Sequence, residues 1–136
     1  MTQAGGERPY AGWLLAEADR ARLLVRFAPR YETVVAHHVT HAYDPPLLEL
    51  PPEVSAEIAG LADDGAGVQV LVVRVDGRHE RADGSTYHVT WSLGPERRAW
   101  ESNGVLREQG WTVVEPPVPV RLEPMVFRAP GSSASE

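Results

Sequence analysis

Apolar and polar positions alternate along short stretches of this 136-residue chain, and a helical spacing takes over in two places. Tyr10 to Glu17 holds aromatic and aliphatic residues and reads as a first strand. From Asp19 to Phe27, Leu23, Leu24 and Phe27 fall at helical spacing, with Asp19 placed to cap the helix and Pro29 to stop it. Glu32 to Tyr43 carries Val34, Val35, Val39 and Thr40 and reads as one strand. Asp44-Pro-Pro and Leu50-Pro-Pro then bracket a loop. Val54 to Leu61 fits either helix or strand. Asp63 to Gly67 reads as a hairpin turn, because Asp-Gly supplies the positive φ that such turns need. That turn favours a hairpin into the β-branched run Val68 to Val75. Asp76-Gly77 and Asp83-Gly84 punctuate the next connection, and Thr86 to Leu93 is a strand. Pro95 to Gln109 contains a short helix near its end, with Gly110 as the stop. Trp111 to Val114 and Val118 to Phe127 close the chain as strands. Strands outnumber helices, and the helices interrupt rather than alternate. The pattern predicts an α+β fold with mainly antiparallel sheets.

Residues 1–8 read as a flexible leader and 131–136 as a disordered tail, leaving a single domain over 9–130. The hydrophobic fraction of 43% and charged fraction of 24% are those of a folded protein. There is no cysteine, which removes disulfides and thiol nucleophiles. There is no lysine either: all 13 basic residues are arginine. Schiff-base chemistry and a phosphate-loop lysine are thereby excluded. A net charge of −6 argues against a broad coating of nucleic acid, but a site gripping one or two phosphates is compatible with it. No apolar run reaches the roughly 20 residues needed to cross a bilayer. A cytoplasmic location, a monomer and no membrane contact are the default expectations.

Two short stretches carry chemistry. His38-Val39-Thr40 and His88-Val89-Thr90 are both His-x-Thr triplets, and both fall in predicted strands. Side chains two apart on a strand share a face. Each triplet therefore presents an imidazole beside a hydroxyl, with the valine turned away. Two such pairs facing one another can work on a phosphoester. One histidine serves as general base and the other as general acid, since their ordinary pKa of about 6.5 suits both roles. The threonine hydroxyls can donate to phosphate oxygens. No metal and no cofactor is required. The pattern assigns neither histidine to either role.

These triplets, 50 positions apart, resemble the signature of the two-histidine (2H) phosphoesterases. His88-Val-Thr-Trp-Ser-Leu93 followed by Glu101-Ser-Asn-Gly-Val-Leu106 is similar to the second half of the cyclic phosphodiesterase domain of fungal-type tRNA ligases and its small bacterial relatives. Gly12-Trp-Leu-Leu15, the Leu23-Leu24 helix and the His38 strand match the first half in order and kind. The resemblance spans about residues 10–127. It implies a bilobal, pseudo-two-fold fold with antiparallel sheets flanking a central cleft. It also implies metal-independent opening of a cyclic phosphodiester, such as a 2′,3′-cyclic phosphate on a nucleotide or RNA terminus. His38 and His88 become the acid–base pair, and Thr40 and Thr90 the phosphate-holding hydroxyls. His41 departs from the family pattern, which places an apolar residue after the threonine; Trp91 obeys it. The short separation implies compact lobes and a small or terminal substrate.

Tyr43, Tyr87, Trp91, Ser102 and Asn103 are the candidate substrate contacts around the triplets. Ser102 also reads as a helix cap, and the helix start could favour an anion through its amides. Alternation puts His37 and His41 on the strand face opposite His38, so the three do not converge on a metal. His79 reads as a solvated loop residue. Arg74, Arg78, Arg81, Arg97 and Arg98 are candidates for phosphate contact but read first as surface residues. The Pro-rich stretch Val114 to Pro119 reads as a connector between strands. The competing expectation is a nucleotide- or RNA-end-binding module without turnover.

Overall fold

The computed structural model describes residues 9–128; the expected leader and tail lie outside them. Ten elements follow in order: β1 (Tyr10–Leu15), α1 (Glu17–Arg26), β2 (Thr33–Val34), β3 (His38–Tyr43), β4 (Ala56–Asp63), β5 (Val68–Val75), β6 (His88–Leu93), α2 (Glu101–Gln109), β7 (Thr112–Val120) and β8 (Leu122–Phe127). The fold is α+β. One sheet has three strands in the order β3-β1-β8, and the other has five in the order β2-β6-β5-β4-β7. Every pairing is antiparallel. None of the helices among the described residues is long and apolar enough to cross a membrane.

β5 shows why its sequence is apolar without alternation: both of its faces are covered. Leu71, Val73 and Val75 enter a large core with Trp13, Leu15, Leu23, Val39, Val89 and Trp91. Val68, Val70 and Val72 enter a second core under α2, with Val105 and Leu106. The two buried indoles keep their N–H groups satisfied, as buried polar atoms must be. Trp13 Nε1 donates to the Pro52 carbonyl at 2.8 Å, and Trp91 Nε1 to that of Phe27 at 2.7 Å. After β5, Asp76 and Gly77 both adopt positive φ (49° and 83°), which suits the tight turn closed between Val75 and Arg78.

Three sequence expectations are corrected. The segment Glu32 to Tyr43 is two strands in different sheets. β2 pairs with β6, and the amides of Val35 and Ala36 continue that pairing by donating to the carbonyls of Trp91 and Thr90. The chain then crosses over, and the His37 carbonyl accepts from Leu15 of β1. Ala36 makes the turn at φ 44°, an uncommon conformation for a residue with a side chain. Its carbonyl is satisfied by Arg20 Nε of α1 at 2.8 Å. Asp19 does not cap α1. Ala16 occupies the cap with no side-chain bond, while Asp19 accepts from Arg22 and from the Arg121 amide at 2.6 Å each. At the other end of the chain the Pro-rich stretch lies within β7. Ile58 pairs with Val118 and Gly60 with Val113, so residues 114–117 have no register partner in β4. The change of sheet comes at Arg121, between β7 and β8.

Candidate functional site

The switch at Ala36 sets the geometry of the site. It bonds the chain to β6 at Thr90 and releases it into the other sheet two residues before His38. The two triplets thereby come from different sheets and meet at one cleft. His38, Thr40, His88 and Thr90 all line it, within a cavity of about 1100 Å³. Val39 and Val89 point the opposite way and are fully buried in the core. The alternation expected of both triplets is therefore observed.

Each imidazole is held. His88 Nδ1 lies 2.8 Å from the Thr86 carbonyl. A carbonyl can only accept, so Nδ1 carries the proton and the neutral ring keeps a lone pair on Nε2. Burial pushes the His88 pKa down to about 4, with the Arg81 charge acting in the same direction and the Thr86 hydrogen bond opposing. His38 stacks on Tyr10, with ring centroids 4.7 Å apart and planes 15° from parallel. Its Nδ1 lies 3.0 Å from Nδ1 of His37. Burial, then the neighbouring His37 and His88, push the His38 pKa to about 4 as well. Both imidazoles are therefore neutral at pH 7. A phosphate anion placed between them would favour their charged forms.

Thr90 Oγ1 sits 2.9 Å from Ser102 Oγ and 3.3 Å from the Ala99 carbonyl. Thr90 donates its proton to the Ala99 carbonyl, so Ser102 is the donor to Thr90, and the long bond to Ala99 is the one a ligand oxygen would replace. Ser102 is fully buried beneath the cleft and does not line it. It orients Thr90 rather than touching substrate, which corrects its assignment as a contact. Nor does it cap α2, whose cap position is Trp100. The amides of Glu101, Ser102 and Asn103 donate to the carbonyls of Arg98, Ala99 and Trp100, so the start of α2 has spent those donors on its own turn.

Tyr43 and Asn103 do line the cleft. Tyr87 and Trp91 do not. Strand alternation turns both into the core: Tyr87 packs edge-on against Trp13, ring centroids 6.0 Å apart, and Trp91 is 0% exposed. His41 lies on that same side, its centroid 5.0 Å from that of Trp13. His37 is not on the far face of the His38 strand. It precedes the strand, is exposed, and turns its ring to His38. Among the described residues no group of three or more His, Cys, Asp or Glu side chains is arranged to hold a metal.

Two residues of the site hold roles that sequence reasoning did not give them. Tyr10 lines the cleft as the aromatic support of His38. Its only sequence signal is a register one, since pairing of the first and third strands is needed to place it there. Arg81, read as a surface residue, is 3% exposed. Its guanidinium donates to the Thr40 carbonyl at 3.0 Å, Asn103 Oδ1 at 3.0 Å and Ser85 Oγ at 2.8 Å. It also lies 5.3 Å from the centre of the Tyr43 ring. It is absent from the cleft lining and is a positioning residue.

Comparison of the chain with protein-family models, with curated proteins and with solved structures finds no match.

Proposed function

We propose that this protein is a metal-independent phosphoesterase of the two-histidine kind, opening a cyclic phosphodiester on a nucleotide or an RNA end. In this reading the two sheets are the two lobes of a pseudo-two-fold fold. One observation carries it: two His-x-Thr triplets from different sheets line a single cleft. The hydrogen bonding supports a division of labour. His88, with Nδ1–H held by Thr86, offers the Nε2 lone pair and takes a proton from the attacking water. The water oxygen bonds to phosphorus as one P–O ester bond of the ring breaks. His38, charged by the bound phosphate, donates its Nε2 proton to the departing ribose oxygen while Nδ1–H points to His37. The Thr40 and Thr90 hydroxyls donate to the non-bridging oxygens, where negative charge gathers in the transition state.

The binding-module reading draws on a different observation. With both pKa values near 4, neither histidine is an imidazolium at pH 7. Turnover of 2′,3′-cyclic nucleotides and of a cyclic-phosphate-ended oligoribonucleotide, in buffer containing EDTA, separates the two. A linear phosphomonoester product supports the hydrolase. Thermal stabilisation by these ligands without product supports the module.

A further inference from the structure

The cleft extends well past the two imidazoles. One wall is the outer face of α2, where Trp100, Gly104 and Arg107 succeed one another at spacings of four and three, along one side of the helix. Trp100 is 64% exposed, and no described residue stacks on its indole. A side chain at Gly104 would meet only Arg107 Nη2, at 3.6 Å. The wall is therefore flat between the indole and the guanidinium.

Among the described residues three arginines line this cleft. Arg97 is held by Asp64 at 2.9 Å and Glu101 at 2.8 Å, and its single charge offsets one of those two carboxylates. Arg98 and Arg107 are exposed, and neither guanidinium makes an ion pair or hydrogen bond with a described residue. The remaining negative charge of the Asp64–Glu101 pair and Glu108, beside Arg107, are the opposing charges among the described lining residues. An open aromatic face next to two uncommitted guanidiniums matches a base and a phosphate.

We propose that this wall is a second subsite, taking a nucleotide base on the Trp100 indole and a further phosphate, beyond the reacting one, on Arg98 and Arg107. The inference rests on the nucleotide reading of the cleft and adds a substrate class to it. The preferred ligand carries a second phosphate one nucleoside away from the cyclic group. Either a 5′-phosphorylated nucleotide or the internucleotide phosphate of an RNA end has that chemistry.

Equilibrium binding to the whole chain tests it, with adenosine 3′-monophosphate, adenosine 3′,5′-bisphosphate and the dinucleotide ending in a 3′-phosphate as probes. At least one of the two extended ligands should bind about tenfold more tightly than the monophosphate, and which one does so identifies the source of the second phosphate. That gain should vanish in the Arg98→Gln/Arg107→Gln variant. Trp100→Ala should weaken every ligand about tenfold, and Trp100→Phe should restore most of the loss. Equal affinity for all three probes, or a gain that survives loss of both arginines, overturns the subsite. Hydrolysis of a cyclic nucleotide is followed in parallel. Turnover without ligand preference overturns the subsite alone. Preference without turnover supports the subsite and overturns the hydrolase.

Discussion

Arg81 Nη1 donates to the main-chain carbonyl of Thr40 across 3.0 Å, in a site almost closed to solvent. The contact joins the connection before β6 to β3 in the other sheet. The same guanidinium holds Asn103 of α2, so one side chain ties together two walls of the cleft. Its ion pair with Asp83, at 3.5 Å to a carboxylate more than half exposed, adds little. Arg81→Met should destabilise the protein by about 2–4 kcal/mol, because the Thr40 carbonyl and Asn103 lose charged donors in a buried place. Denaturant unfolding measures this. NMR titration of the variant should also show the His88 pKa raised, since the Arg81 charge holds it down.

The two depressed imidazoles make stability depend on pH. Unfolded, each titrates near 6.5; folded, near 4. Between those values the unfolded chain binds more protons, so the folded state loses stability as pH falls. The contribution is fully present above about pH 6.5 and is lost down to about pH 4, roughly 3 kcal/mol for each group. Melting temperatures across that window should fall steeply for the wild type. His38→Asn/His88→Asn should flatten the curve there. Below that window the lowered carboxyls of Asp19, Asp64 and Asp83 take over as the acid-sensitive groups.

Gly12 sets the spacing of β1 and β3. A Cβ there would lie 2.2 Å from the Val39 carbonyl oxygen and 3.1 Å from Thr40 Cα. Those atoms are backbone and cannot swing aside. Gly12→Ala should cost about 1–3 kcal/mol by overpacking and should move the first triplet. Turnover at a temperature where the variant is still folded should fall severalfold.

Ser102 acts through Thr90. Ser102→Ala should cost about 1 kcal/mol in stability and leave the Thr90 hydroxyl oriented only by its long bond to the Ala99 carbonyl, at 3.3 Å. The expected kinetic signature is a drop in kcat of roughly tenfold with KM little changed, as for loss of an interaction made mainly in the transition state. A raised KM with unchanged kcat would place Thr90 in ground-state binding instead.

The triplets were legible because strand alternation is local: His and Thr two apart must share a face. The apolar run of β5 and the Asp76-Gly77 turn are local signals too. The break at Ala36 was not. Val34, Val35 and Val39 continue a strand pattern on both sides of it, and only pairing with two different sheets reveals the crossover. That crossover also moves His37 off the strand and against His38. Arg81 was hidden because arginine is ordinarily a surface residue, and its buried partners are a carbonyl 41 positions away and an amide side chain 22 positions away. Trp91 and Tyr87 are not contacts, and alternation itself turns them away from His88 and Thr90.

The most direct test is cyclic-nucleotide turnover by His38→Ala, His88→Ala and the double variant, each shown to be folded. If the imidazoles act as one acid–base pair, each single change should lower kcat by about 10²–10⁴, and the double variant should be little worse than either single one. Wild-type turnover in either single variant, or losses that simply multiply in the double, would contradict the account.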